Sequence, residues 1–525
     1  MKKLFLLSAN VGITKKQNLN QSLRTVFLFL TLVSLFYTSS LAQQVQKQAA
    51  PAKALQLNAK RADKPVVKKA NIEVPVIQAE DDNDKYDGPQ QAADFEFNRT
   101  KDPATGKVPM QRLLNALDQT VQSQRLSKNR MNGHQGGPLT PLSWIERGSY
   151  TDAAGPFGNT RPNNDVTAGR IRSVCIDSAD VTHKTVWVGG VDGGIWKTTD
   201  ITATPANWAL VNDFLSNLAV SGICQNPANN NIMYFCTGES FYNGDAVSGV
   251  GVFKSTDHGV TWNFLASSSS FTQCTRILCD PAGNVYLATR GNGLRRSLDG
   301  GTTWTNITPA GAPNSDICDL KLSQTGRLHM VTGIFSTQSY FYTDIPSTVT
   351  SGSGWNAPAT AFPSYTMRAE IAVSGNTLFA CPANGAYQVP TIYKSTDGGA
   401  NWAPTGGQPA GNWANGQGWY SLSVGINGGD PTQCIVGGLD TWKTTDGGAT
   451  WTKISTWVGA SGQYVHADQH NVTWYDGGTK LIFACDGGIH FSTDGGTTIR
   501  DRNTNLRIKQ FYSVRRREAA AINRV

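Results

Sequence analysis

An eight-residue phrase recurs through the second half of the chain and restricts its fold more than any other feature. The phrase has a hydroxyl residue first, an acid third, glycine fifth and tryptophan eighth. Full copies run over Ser255–Trp262, Ser297–Trp304, Ser395–Trp402 and Thr444–Trp451, and a fifth copy, Ser492–Ile499, has lost the tryptophan. Two degenerate copies fill the remaining gaps, one at Asp200 and one at Asp344.

The spacing of the copies is that of a propeller blade. The third-position acids fall at intervals of 57, 42, 45, 53, 49 and 48 residues. A period of roughly 40–50 residues is the length of a four-stranded β-propeller blade. Short apolar runs bounded by glycine and aspartate, such as Val186–Val188 and Leu481–Cys485, precede the copies and indicate buried strands. Seven units therefore predict an all-β, seven-bladed β-propeller.

The phrase has a local structural explanation. The hydroxyl and carboxylate can accept hydrogen bonds from backbone N–H groups a few residues on, which closes a turn. Glycine at the fifth position supplies the positive φ that a tight hairpin requires. We therefore expect a structural role, and no catalytic one, for the acids of the five well-formed copies, which are Asp257, Asp299, Asp397, Asp446 and Asp494.

These residues resemble the Asp-box, or BNR, repeat of sialidases, sortilin-type receptors and xyloglucan-cleaving glycoside hydrolases. Over roughly residues 140–514 the chain is similar to exported bacterial BNR-repeat proteins that are commonly labelled glycosyl hydrolases from their fold. The resemblance implies a propeller whose boxes lie on the face opposite the ligand. It says little about the substrate, since one fold hosts many functions.

The regions outside the repeats predict export and a long leader. Residues 1–42 combine five Lys/Arg and no acid with an apolar stretch over Val26–Tyr37 and then Ser40-Leu41-Ala42, the pattern of a signal peptide. The alternative is a retained N-terminal anchor, although a membrane span needs about 20 apolar residues. We predict a disordered leader over 43–108, a helical linker over 109–140, the propeller over 141–514 and an aberrant or truncated tail over 515–525, which puts closure of the ring in question.

Charge and cysteine content exclude several classes of function. The formal charge of +8 comes from the two ends, because residues 43–514 carry 37 basic and 37 acidic side chains. A balanced body has no electrostatic footprint for nucleic acid. The nine cysteines lie mostly inside apolar runs without metal-ligand spacing, so we interpret them as buried small side chains, with one or two disulfides as the alternative. We expect no cofactor, no bound metal, no stable membrane span in the mature chain and a monomer.

The first candidate site is a row of alternating ionisable residues, His466, Asp468 and His470. On a strand, positions i, i+2 and i+4 share one face. Such a row can pair an acid with a base or bind a ligand, including a metal ion. The alternative is a hydrogen-bonded polar ladder that supports the blade.

Two further acids lie where strands are predicted to end. Glu239 stands beside aromatic residues in the segment 237–245, a suitable place for a carboxylate with a raised pKa; the alternative is an acid that caps its own loop. Asp192 belongs to an Asp-Gly-Gly turn that recurs at Asp486, which favours a structural role. The resemblance to xyloglucan-cleaving enzymes implies a catalytic acid near Asp192, but there the acid normally precedes the glycine pair by two residues.

Two aromatic residues complete the candidates. Trp419 and Tyr420 follow a glycine-rich stretch and could stack on a sugar ring, with core packing as the alternative.

Three functions are consistent with these residues. One is glycoside hydrolysis by a carboxylate pair at the channel mouth, drawn from Asp468 with Glu239 or Asp192. A sialidase is disfavoured because the chain lacks a Phe-Arg-Ile-Pro motif. The second is a sortilin-like or adhesive propeller that binds protein, peptide or glycan without chemistry. The third is the scaffold of a larger cell-surface protein. We predict a secreted or cell-surface propeller whose partner is an extracellular polysaccharide or glycoprotein.

Overall fold

The computed structural model describes residues 101–102, 104–107, 115, 165–212, 215–243, 246–458 and 462–508. The predicted signal peptide, nearly all of the leader and the tail lie outside the described residues. Within the predicted helical linker only Asn115 is described, and it is helical.

The described chain forms seven antiparallel sheets in succession, six with four strands and one with three. The first three sheets contain, in chain order, β1 Ile171–Ile176, β2 Val186–Gly190, β3 Gly194–Thr198, β4 Trp208–Leu210, β5 Val220–Gln225, β6 Met233–Thr237, β7 Val252–Ser255, β8 Asn263–Phe264, β9 Cys274–Cys279, β10 Val285–Thr289, β11 Leu294–Ser297 and β12 Thr305–Asn306. The other four contain β13 Ile317–Leu322, β14 Leu328–Thr332, β15 Ser339–Thr343, β16 Ala369–Ser374, β17 Thr377–Pro382, β18 Tyr393–Ser395, β19 Ala403–Pro404, β20 Ser423–Ile426, β21 Cys434–Gly437, β22 Thr441–Thr444, β23 Thr452–Ser455, β24 Gln469–Tyr475, β25 Lys480–Cys485, β26 Gly488–Ser492 and β27 Arg500–Asp501. The prediction of an all-β, seven-bladed propeller is confirmed.

Strand order defines two faces of the ring. In every blade the strands pair in sequence order, so the first and last strands are the two edges of the sheet. Because the strands are antiparallel, the connections from first to second and from third to fourth strand lie at one end of the blade. We call this end the turn face. The connections from second to third strand and from blade to blade lie at the other end, which we call the loop face.

The repeated phrases close the third-to-fourth connections on the turn face, and their hydrogen bonds are those expected from the residue types. In one copy the Ser395 hydroxyl donates to the Asp397 carboxylate over 2.7 Å and accepts from the Gly399 N–H over 2.9 Å. Asp397 in turn accepts from the backbone N–H and side-chain amide of Asn401, each over 2.9 Å. Gly399 has φ +89°. The same pattern recurs around Ser255, Ser297, Thr444 and Ser492.

A basic residue of one blade fastens the turn of the next, a link that was not predicted. Lys254 donates to the Gly300 carbonyl over 3.0 Å, Lys394 to Gly447 over 3.3 Å and Lys443 to Gly495 over 2.9 Å. Each acceptor is the first glycine of a repeat turn. The turns therefore serve both to close a hairpin and to hold neighbouring blades in register.

Apolar side chains fill the spaces between adjacent blades, and the ring is closed. One cluster joins Val186 and Val188 of the first blade to Ile482 and Ile489 of the seventh. The Trp208 indole N–H of the first blade also donates to the carbonyl of Arg502, over 2.5 Å. These contacts join the first and seventh blades directly, and among the described residues neither blade takes a strand from the other.

All nine cysteines are unpaired, eight of them buried and Cys175 partly so. The interpretation as buried small side chains is confirmed. In the described part of the chain no helix has the length and apolar character required to traverse a bilayer.

Candidate functional site

The loop face gathers the candidate residues at the end of the molecule opposite the repeat turns. Asp192 lies between β2 and β3, and Glu239 between β6 and β7. Asp468 precedes β24, whereas Trp419 and Tyr420 precede β20. These connections all belong to the loop face, so the candidates share one end of the channel.

Glu239 is held in an ion-pair network. Its carboxylate is 2% exposed and accepts from Arg170 over 2.7 Å and from Arg172 over 2.6 Å. The Asn243 amide donates to the same group over 2.7 Å. Two guanidiniums stabilise the ionised form, which is the opposite of what a proton donor requires. The geometry favours a structural role in which Glu239 joins the first and second blades.

His470 connects this network to Asp486, a residue that the sequence pointed to only as part of a turn. Arg172 lies 3.1 Å from His470 Nδ1, and His470 Nε2 lies 2.6 Å from Asp486 Oδ1. Because a guanidinium can only donate, Nδ1 must accept and Nε2 carries the proton. Burial, together with Arg172, lowers the pKa of His470 to about 4. The imidazole is therefore neutral at pH 7 and orients Asp486.

Asp486 is an ionised and partly exposed carboxylate on the loop face. Its side chain is 23% exposed, and it accepts from the Tyr420 hydroxyl over 2.8 Å. Arg170 lies 3.4 Å away. Although burial opposes ionisation, His470 and the two arginines hold the pKa of Asp486 well below its usual range.

Asp468 has the opposite electrostatic character. Burial, reinforced by the negative charge of Asp486, raises the pKa of Asp468 to about 7, while Ser421 and the two arginines partly oppose the shift. The side chain is only partly buried. Two neighbouring carboxyl groups with oppositely shifted pKa values are the arrangement found in acid–base sites.

The prediction that His466, Asp468 and His470 line one strand is wrong. Strand β24 begins at Gln469, and Asp468 adopts φ +64°, which interrupts the alternation of an extended chain. His470 faces Asp486, whereas the His466 ring contacts the Ala467 carbonyl over 3.1 Å. Within the described residues no group of three or more His, Cys, Asp or Glu side chains is arranged to hold a metal ion.

Asp192 lies in the β2–β3 turn at φ +71°. Both of its carboxylate oxygens are shielded from solvent. Since a catalytic carboxylate has to reach substrate, this placement favours the structural role suggested by the recurring Asp-Gly-Gly turn.

A row of aromatic side chains runs along the loop face, starting beside Asp486. The sequence indicated only Trp419 and Tyr420, at one end of this row. The Tyr420 ring packs 5.0 Å from His470 and 5.3 Å from Trp419. Trp419 continues to Phe335 at 5.8 Å, and Phe335 contacts both Tyr242 at 5.6 Å and Tyr387 at 6.2 Å. Trp419 and Tyr420 are buried, while the other three rings are partly exposed.

Backbone strain is concentrated on the same face. Tyr242, Phe335 and Tyr387 have φ of +61°, +56° and +62°. Bulky residues rarely adopt this conformation, which costs free energy and is typical of functional sites. In the sequence, only the aromatic residue types themselves mark these three positions.

A second ionic group, centred on Glu370, joins the next blades around the ring. Arg276 lies 3.2 Å from Asp319 and donates to both oxygens of Glu370 over 3.0 Å. Arg368 also binds Glu370, and it donates to the carbonyls of Tyr420 and Leu422 over 3.0 Å. Charged side chains therefore tie together blades three to six, as the Glu239 network ties together blades seven, one and two.

The sequence is similar to two curated xyloglucanases over part of its length. It is 26% identical over 338 residues to a xyloglucanase of a Paenibacillus species, covering 58% of this chain and 29% of that protein. It is 24% identical to the xyloglucanase Xgh74A of Acetivibrio thermocellus, covering 51% of this chain and 36% of the relative. The chain thus spans about a third of the length of these relatives. No protein-family model matches it.

Solved structures with a similar fold are more distant in sequence. A GH74 xyloglucanase of Xanthomonas campestris is 14% identical with a TM-score of 0.38, covering 64% of this chain and 68% of the other. YCF48 of Cyanidioschyzon merolae is 13% identical with a TM-score of 0.44, covering 62% and 96%. The propeller assignment itself follows from the strand topology.

Proposed function

We propose that this protein hydrolyses an extracellular glycan at the loop face, with Asp468 as the proton donor. The observation that carries the proposal is the divergence of two neighbouring carboxyl groups, Asp468 with a pKa raised to about 7 and Asp486 with a pKa far below its usual range. The partial similarity to xyloglucanases supports the choice of a glycan as substrate.

The two carboxyl groups would act in different protonation states. In glycoside hydrolysis one carboxylic acid protonates the departing glycosidic oxygen, and a carboxylate acts on water or on the anomeric carbon. Asp468 keeps its proton near neutral pH and can supply it. Asp486 stays ionised, and its negative charge can stabilise the positive charge that develops on the sugar ring.

The aromatic row would hold the sugar chain beside these acids. Aromatic side chains combine a large apolar surface with a polar edge. Trp419 and Tyr420 begin the row at Asp486, and the partly exposed rings of Tyr242, Phe335 and Tyr387 extend it. We assign to these rings the binding of residues next to the cleaved bond, and to His470 the positioning of Asp486.

A non-catalytic glycan-binding propeller is the second candidate function. It is favoured by the hydrogen bonds of Asp486, which accepts from both His470 and Tyr420 and therefore has less capacity to activate water. We further propose that the protein is secreted or held at the cell surface, on the strength of its basic and apolar N-terminal segment.

The test is a glycan array followed by hydrolysis assays on each bound polysaccharide, beginning with xyloglucan. Asp468→Asn should reduce kcat by about 10²-fold or more, the usual contribution of a general acid. Asp397→Asn, an acid of a repeat turn, is the matched control and should leave kcat unchanged. Because Asp468 acts as an acid, kcat should decline as the pH rises above about 7.

Three outcomes separate the alternatives. Binding without turnover would remove the enzyme and leave the binding protein. Turnover that survives Asp468→Asn would show that the proton comes from elsewhere. Failure to bind any glycan would overturn both functions.

A further inference from the structure

A second compartment occupies the turn-face half of the channel. A cavity of about 350 Å³ lies between the innermost strands of blades three to seven. Its lining includes Leu322, Val373, Ile426 and Trp474, which stand at or near the turn-face ends of β13, β16, β20 and β24. The volume lies within the range of small-molecule sites, which are about 300–1,000 Å³.

Side chains already described separate this cavity from the loop face. Arg276, Glu370 and His470 line its inner end. His470 and Glu370 are 3% and 2% exposed, and both are fixed by arginines. A ligand of the cavity would therefore enter from the turn face and would not contact Asp468.

The cavity carries an excess of positive charge. The lining contains two cations, Arg276 and Lys321, and one acid, Glu370. Behind the lining, Arg368 and Asp319 add one charge of each sign to the same ionic group. Protonation of Glu370, whose pKa burial raises, would only increase the excess. The side chain of Lys321 is 29% exposed, more than any other member of this ionic group, and its ammonium lies 2.7 Å from Asp319. An ammonium has three donors, so Lys321 retains donors for an anion.

Neutral polar groups and apolar groups alternate along the rest of the wall. Ser423 is 2% exposed, lines the cavity, and its hydroxyl has no hydrogen-bond partner. A buried hydroxyl without a partner loses free energy that a ligand oxygen could restore. Asn471 and Thr473 add further polar groups from β24.

We propose that this compartment binds a small carboxylate bearing hydroxyl groups, about the size of a sugar acid. The carboxylate pairs with Lys321, and a hydroxyl pairs with Ser423. The apolar rim formed by Leu322, Val373 and Trp474 covers the carbon skeleton. This site is independent of hydrolysis at the loop face.

Titration calorimetry with sodium D-glucuronate tests the proposal, with D-glucose and sodium sulfate as comparison probes. The wild-type protein should bind glucuronate at least about tenfold more tightly than glucose or sulfate, since a charge-assisted contact and a hydroxyl contact are both required. Lys321→Gln should weaken glucuronate binding by about tenfold and Ser423→Ala by a smaller factor.

The matched control is Lys453→Gln. Lys453 forms an ion pair with Asp440, and neither side chain lines the cavity. This variant should bind glucuronate as the wild type does, and so should Asp468→Asn. Glucuronate should also shift the NMR signal of the Trp474 indole N–H, a readout that needs no substitution. The site is disproved if wild-type protein does not bind glucuronate, if Lys321→Gln binds it unchanged, or if glucose or sulfate binds equally well.

Discussion

The two faces of the ring use the same residue, aspartate, in opposite ways. On the turn face, Asp397 accepts from Asn401 and from the Ser395 hydroxyl, and these bonds lower its pKa to about 2. On the loop face, burial and a neighbouring carboxylate raise the pKa of Asp468 to about 7. The difference shows that the ring concentrates local stabilisation at one end and strained, perturbed groups at the other.

The contrast extends to the backbone. The positive φ angles of the repeat turns fall mainly on glycines, such as Gly399 and Gly448, which adopt them without steric cost. On the loop face some also fall on glycines, such as Gly333, but others fall on Asp192, Asp468 and three aromatic residues. The repeat turns are therefore built mainly from residues suited to their conformation, whereas several loop-face positions hold side chains that their backbone conformation does not favour.

The largest expected effect is a loss of stability on removal of the Glu239 charge, and it tests whether the loop-face ion pairs are structural. Glu239→Gln leaves Arg170 and Arg172 buried without their shared counter-charge, which should reduce the free energy of unfolding by about 3–5 kcal/mol. Urea denaturation measures the change. The control is Asp344→Asn on the turn face, where the side chain is 57% exposed beside Arg327; an exposed pair should cost less than about 1 kcal/mol. Equal effects from both variants would contradict the distinction between the faces.

The turn face could be predicted from sequence because each turn depends on residues at most four positions apart. Ser395, Asp397 and Gly399 meet through local hydrogen bonds, and the repetition of the phrase confirms the pattern within one chain. The Glu239 network could not be predicted, because Arg172 and His470 lie 298 positions apart and meet only when the ring closes. The strand expected across His466 and Asp468 failed for a local reason, the positive φ of Asp468.

The second prediction concerns the pH dependence of stability. The folded-state pKa of Asp468 is above its unfolded value, so the folded protein binds the proton more tightly and loses stability as the pH rises from about 4 to 7. Asp468→Asn removes this loss. The variant should be as stable as the wild type at pH 4 and more stable by about 2–4 kcal/mol at pH 8. The charged groups that act on the pKa of Asp468 are Asp486, which raises it, and Arg170 and Arg172, which lower it.

Urea denaturation at both pH values measures the effect. Asp397→Asn should show the reverse sign, because a lowered pKa contributes stability that is present above pH 4 and lost as the pH falls toward 2. If the wild type is as stable as Asp468→Asn at pH 8, then ionisation of Asp468 does not destabilise the folded protein. The contrast between the two aspartates would then fail.

The smallest expected effect is the loss of stability when one repeat turn loses its hydroxyl group. Ser395 is 1% exposed, and Ser395→Ala removes the acceptor of the Gly399 N–H together with the donor to Asp397. The loss should be about 1–2 kcal/mol in the free energy of unfolding. Because the same bonds recur in the other copies, Ser297→Ala should cost a similar amount, and glycan binding at the loop face should not change in either variant. Loss of binding in a variant that remains folded would show that the turns act on the loop face through the blades, rather than only closing their own hairpins.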